Sequence, residues 1–185
     1  MKFTGKKIFF FIFLILFSLL GLSFADNGVK ENQITGFEDL FEGFVYFADK
    51  QKLSLKSVKK KFASTLDSHE LALEIIKTLI DGPADPNLEA IWPKDTKINA
   101  FFIAGDGKAY IDLDPAPEMI ENMDTGTELL AIYSIVNSLT MNIAEIKMVK
   151  ILIQGRDALT LAGHIDLEYF YKTNMLIGTL RPHVK

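Results

Sequence analysis

Lys97-Ile98-Asn99-Ala100-Phe101-Phe102-Ile103-Ala104-Gly105-Asp106-Gly107-Lys108-Ala109-Tyr110-Ile111-Asp112-Leu113 is the stretch on which the fold turns. Two apolar runs, Lys97 to Ala104 and Lys108 to Leu113, flank Gly105-Asp106-Gly107. Gly and Asp tolerate the positive φ of tight hairpin turns, so the stretch reads as a β-hairpin. A helical pattern stands on each side of it. Upstream, Asp67 and Glu70 have the spacing of a capping box, in which side chains bond the open backbone N–H groups of a helix start. Leu71, Ile75, Ile76, Leu79 and Ile80 then recur at helical intervals, and Gly82-Pro83 ends the run. Downstream, Thr125 and Glu128 mark a second capping box. Leu129, Ile132, Tyr133, Val136 and Leu139 line one face from there to about Thr140. A hairpin between two amphipathic helices implies an α+β domain.

Working outward, Phe44 to Ala48 is aromatic and β-branched, hence a strand, and Asp49 to Lys52 is a polar turn. Leu53 to Phe62 alternates into a second strand with one wet face, and Lys59-Lys60-Lys61 marks it as an edge. A loop with Pro86 and Trp92-Pro93 follows the first helix. Met148 to Ile153 is a strand, Gln154 to Asp157 a turn, and Ala158 to Leu161 a short strand. Gly163 to Leu167 closes the domain. The order ββα-ββα-ββ predicts a largely antiparallel or mixed sheet with two helices packed on one face. A unit of about 130 residues can bury close to two thirds of its surface without metal or disulfides.

The ends of the 185-residue chain read differently. Seven of its 15 Phe lie in the first 25 residues. Lys2, Lys6 and Lys7 precede an apolar run, Ile8 to Leu20, and Ser23-Phe24-Ala25 offers small residues at the positions a signal peptidase reads. Residues 1–25 are therefore read as a signal peptide cleaved after Ala25, placing the protein in the periplasm or outside the cell. An uncleaved membrane anchor is the alternative. Residues 26–42 read as a linker or short arm, 43–168 as the folded domain and 169–185 as a tail. Beyond Ala25 the chain carries 17 basic against 24 acidic side chains, a net charge of −7. That acidic balance argues against nucleic acid. With no Cys, the chain has no disulfide, thiolate metal site, cysteine nucleophile or thiol to carry a lipid.

Five segments, in order, resemble the GerMN domain family, the sporulation and spore germination module of bacterial envelope proteins. They are Phe44 to Asp49; Leu79 to Pro83; Ile91-Trp92-Pro93-Lys94-Asp95-Thr96-Lys97-Ile98; Ala109 to Leu113; and the long stretch Glu128 to Leu167. Together they span about residues 43 to 168. The resemblance implies an α/β module similar to ring-building motifs, used for protein contacts and not known for catalysis. Asp95 stands where the family's turn has Gly. Many relatives carry a lipobox Cys that this chain lacks.

Beside that stands the chemistry of individual residues. In a strand, His164 and Asp166 would share a face, so that Asp166 orients an imidazole for base or metal work. No further His at ligand spacing accompanies them, since His69 and His183 fall at a helix start and in the tail. A structural turn around Gly163, with His164 and Asp166 holding backbone groups, is the favoured reading. Asp106, Asp112 and Asp114 lack the spacing of a calcium loop. Ser134 and Ser138 lack a nucleophile elbow. Asn137, beside the apolar stripe, is read as an amide tying its helix to a loop, with a partner contact as the alternative. Trp92 is read as a lid on the core, with sugar stacking as the alternative.

The expected function is non-catalytic: an exported envelope module that binds another envelope protein, without a cofactor. Contact would run through the Leu53 to Phe62 strand and the Trp92 loop, by sheet-edge or helix-face recognition. The alternative is a peptidoglycan or other glycan binder that stacks sugars on Trp92 and Tyr110; a hydrolase comes third.

Overall fold

A computed structural model describes residues 39–178. The segment read as a signal peptide, with its cleavage after Ala25, lies outside the described residues. Among the described residues no helix is long and apolar enough to cross a membrane.

Strand β1 (Leu40–Asp49) pairs antiparallel with β2 (Leu55–Ala63), from Leu40 opposite Ala63 to Ala48 opposite Leu55. It begins inside the stretch read as linker, because the alternation Phe41, Gly43, Val45, Phe47 already starts there. The Phe41 ring lies 5.8 Å from that of Phe62. The turn is closed by Asp49, whose carboxylate accepts from the Leu53 N–H at 2.8 Å and the Ser54 hydroxyl at 2.6 Å.

Helix α1 (Ser68–Asp81) forms with both halves of its predicted capping box: Glu70 N–H to Asp67 at 2.8 Å and Asp67 N–H to Glu70 at 3.0 Å. It ends at Gly82, whose φ of +89° suits a residue without Cβ. The two-residue β3 (Leu88–Glu89) touches the end of β1. The predicted hairpin is present as β4 (Lys97–Ile103) and β5 (Lys108–Asp114), with a register shift between Ile98 and Ala100. After a short helix α2 (Pro117–Glu121), the long helix α3 (Thr125–Asn142) returns the chain to β6 (Met148–Ile153), which pairs parallel with β5. A single 3-10 turn, Met175–Gly178, ends the described chain.

The α+β class stands, and its strands divide into two three-stranded sheets, β2-β1-β3 and β4-β5-β6. Helix α1 packs on β1 and β4 and α3 on β1 and β6, so the helices bridge the sheets over one core. Val45, Ile75, Ile76, Ile111, Ile132, Leu139 and Ile151 are buried at its centre.

Two expected elements differ. The second helix is capped by Asp124, not Thr125: the Thr127 N–H reaches the Asp124 carboxylate at 2.7 Å. Ala158 to Leu161 forms no strand, only an isolated bridge between Thr160 and Asp166. Glu128 turns away from the cap and binds that segment instead.

Candidate functional site

Glu128 sits on the first turn of α3 with none of its surface exposed. One carboxylate oxygen accepts the N–H groups of Leu161 at 3.0 Å and Ala162 at 2.8 Å. The other accepts the His164 N–H at 2.9 Å and contacts His164 Nδ1 at 2.9 Å. A loop with no ladder of its own thus acquires three backbone bonds from one side chain, which is how a buried carboxylate is tolerated. Gly163, at φ +96°, reverses the chain so that both the main chain and the ring of His164 face Glu128. Its N–H is held by the Thr160 hydroxyl at 3.0 Å.

The His164–Asp166 pairing, the lesser of the two readings drawn from sequence, is absent, and both residues sit in a turn. His164 bonds Glu128, 36 residues away, and not Asp166. Asp166 instead accepts the Glu168 N–H at 2.7 Å through its side chain and the Tyr171 hydroxyl through its carbonyl. Burial pushes the Tyr171 phenol up to about 12, with Tyr133, Asp166 and Glu128 adding repulsion. The His164 side chain is 39% exposed, and no hydroxyl or acid is bonded to its Nε2 among the described residues. Nor, among them, does any group of three His, Asp or Glu stand together as metal ligands.

The polar residues of α3 have a common use. Asn137, 1% exposed, donates to the Asn174 carbonyl at 3.0 Å and accepts the Asn174 N–H at 2.9 Å, as a strand would. Asn142 does the same for Phe44, accepting its N–H at 2.8 Å and donating to its carbonyl at 2.6 Å. Ser138 accepts the Tyr46 N–H at 3.0 Å. Four helical residues advance about 6 Å and two strand residues about 6.6 Å, so positions 138 and 142 keep step with 46 and 44. Helix α3 therefore closes with side chains the part of the β1 edge that β3, paired only at Ala48 and Asp49, leaves open. Gly43 leaves the room: a Cβ on it would lie 2.5 Å from Asn142 Oδ1.

Trp92 is 2% exposed, and its indole N–H is shared between the Ala131 carbonyl at 3.1 Å and the Ser134 hydroxyl at 3.2 Å. Its faces are inside the protein and leave none for a sugar ring, while the loop around it still exposes Pro86, Asn87, Lys94 and Asp95. Tyr110 lies elsewhere, its ring 5.3 Å from Phe170 and 6.5 Å from the exposed Phe102. Of the residues singled out by sequence, the structure brings Gly163 and His164 together around Glu128, and Trp92 to Ser134 in the core. Glu128 was read as a cap partner because no local pattern separates an acid that caps from one that clamps a distant loop.

A family model described as Germane, sporulation and spore germination, matches residues 44–159. The chain belongs to the Germane family. The match runs from β1 into the loop that Glu128 holds, and it bears out the GerMN resemblance drawn from the five segments. Among solved structures, the Germane chain is similar to a candidate lipoprotein from Clostridium perfringens, with 28% identity and a TM-score of 0.52, covering 72% of this chain and 87% of that one. It is also similar in fold to the tandem GerMN domains of the sporulation protein GerM from Bacillus subtilis, at 20% identity and TM-score 0.56, over 71% of this chain and 46% of the tandem. The first GerMN domain of GerM alone gives 22% identity and TM-score 0.52, over 69% and 92%. No curated protein matches the chain significantly.

The Germane fold leaves a groove of about 580 Å³ at the end of β2. It is lined by Lys61, Phe62 and Ala63 of β2, Leu66, Ile98 of β4, and Glu70, Leu73, Glu74 and Lys77 of α1. Beside it, the outer edge of β2 is unpaired among the described residues.

Proposed function

We propose that the chain is a non-catalytic interaction module of the cell envelope, holding another envelope protein in a process of the kind for which its family is named. The observation that carries the reading is the use of its polar side chains. Glu128, Ser134, Asn137, Ser138, Asn142 and His164 all bond backbone or core groups, so they build shape and leave little chemistry free. Exposed surface is then the functional resource, and the open outer edge of β2 belongs to it. The candidate lipoprotein among the similar structures supports an envelope location, as does the signal-like start of the chain.

The test is crosslinking with mass spectrometry on a tagged copy in the envelope of its own host. Recurrent, near-stoichiometric crosslinks to one protein are expected. Recovery of muropeptides, or of no protein, would move the reading to a glycan ligand. His164→Ala should leave the crosslinking pattern in place, whereas an enzyme that used the imidazole would lose its activity altogether.

A further inference from the structure

We infer that the outer edge of β2 and the groove at its end receive an acidic, extended segment of another protein. This rests on the interaction reading above and adds where the partner binds and what its chemistry is.

The edge is suited to a strand. Strand β2 is nine residues long, in unbroken register with β1, and its outer row of N–H and C=O groups meets no other strand among the described residues. The other edges are less suited. The free side of β1 is taken by Asn142 and Ser138, and β6 is bridged by Tyr171. Strand β4 is open, but its register breaks between Ile98 and Ala100.

Charge then narrows the partner. Strand β2 carries Lys56, Lys59, Lys60 and Lys61 and no acid, on a chain whose net charge is −4. Lys59 is bonded to Glu42 at 2.7 Å, and Lys56 acts on Asp49. Lys60 and Lys61 are exposed and in no ion pair among the described residues. The β1 register puts Lys56 and Lys60 on the row of Val58 and Phe62, and Lys59 and Lys61 on the other, so both faces of the edge are cationic. A second copy pairing along this edge would set lysines against lysines, which is destabilising. The lysines that reject a second copy attract a strand whose acids, at alternate positions, meet either the Lys56 and Lys60 row or the Lys59 and Lys61 row, with its apolar side chains on the opposite face.

The groove argues for a polypeptide over an anionic polymer. Its floor is Phe62, Leu66, Leu73 and Ile98, so an occupant must supply an apolar side chain as well as negative charge. Lys61 and Lys77 stand on its rim against Glu70 and Glu74, so the groove is balanced in charge and the attraction for acids comes from the strand edge.

The probe is a synthetic ten-residue peptide alternating Glu with Val and ending in Phe, with a photoreactive group beside the Phe. It is titrated onto the chain purified from its host. The expected result is salt-weakened binding, with crosslinks on β2 and the groove. Lys60→Glu with Lys61→Glu, both on exposed positions, should weaken binding about tenfold or more and leave the urea midpoint unchanged. Equal binding by the same peptide with Lys for Glu, crosslinks on another face, or indifference to the double variant would overturn the inference. So would equal binding by a Glu-only peptide, which would place an anionic polymer on the edge. In-envelope crosslinks that map to one protein through another surface would remove this edge and leave the interaction reading intact. Absence of any protein crosslink would remove that reading as well.

Discussion

Replacing Glu128 tests the clamp that organises the far end of the domain. In Glu128→Ala, the N–H groups of Leu161, Ala162 and His164 lose their common acceptor while Glu128's site is fully buried. Hydrogen bonds to a charged group are worth about 1.5–3 kcal/mol each, but they are not additive when they share one acceptor. Leaving three backbone N–H groups without an acceptor costs about 1–3 kcal/mol for each that stays dry, so roughly 3–5 kcal/mol in all is expected here. Against a total stability of about 5–15 kcal/mol this is a large share. It corresponds to a fall in Tm on the order of 10 °C for a domain of this size. Glu128→Gln keeps the shape and one acceptor oxygen but turns an NH₂ group toward another N–H, so about 2–3 kcal/mol is expected. Urea unfolding gives the energies, and amide hydrogen exchange at 161, 162 and 164 gives the location. His164→Ala is the control. It removes a half-exposed ring and keeps all three backbone bonds, so about 1 kcal/mol is expected. A Glu128→Ala loss below about 1 kcal/mol, or unchanged exchange at those three amides, would refute the clamp.

Three further outcomes follow from the geometry. Gly43→Ala should cost about 2–3 kcal/mol by urea unfolding, because its Cβ drives Asn142 off the backbone of Phe44; a neutral result would mean that α3 does not close β1. Asp124→Ala should destabilise by about 1 kcal/mol and Thr125→Ala by less than half of that, the reverse of what the sequence spacing suggests. The Thr127 N–H and hydroxyl hold the Asp124 carboxyl below its usual range, so its contribution is present at neutral pH and fades in acid, and Asp124→Ala should flatten the acid limb of the stability curve. The Tyr171 phenol is raised above its ordinary value of 10 to about 12, so the unfolded chain releases this proton first. This contribution to stability is whole below about pH 10 and falls as pH climbs toward 12; Tyr171→Phe should reduce the alkaline slope, and absorbance at 295 nm should lose one late-titrating tyrosine.

What the sequence determined by itself is local. The α1 cap, the Gly82 stop and the 105–107 hairpin follow from residues within a few positions of one another. Their energetics are set by backbone conformation and by bonds that close within one turn. The family was legible as five segments in fixed order, four of them short. Tertiary structure decided everything that spans a long separation. Asn142 meets Phe44 across 98 residues, Ser138 meets Tyr46 across 92 and Glu128 meets His164 across 36. An amide, a hydroxyl and a carboxylate look alike in sequence whether they face water or another segment's backbone. Only packing strips away the water and makes the partner obligatory. That is why Glu128 reads as a cap and is a clamp, and why the strands read as one sheet and form two. The same packing puts Trp92 inside and leaves the lysines of β2 at an open edge.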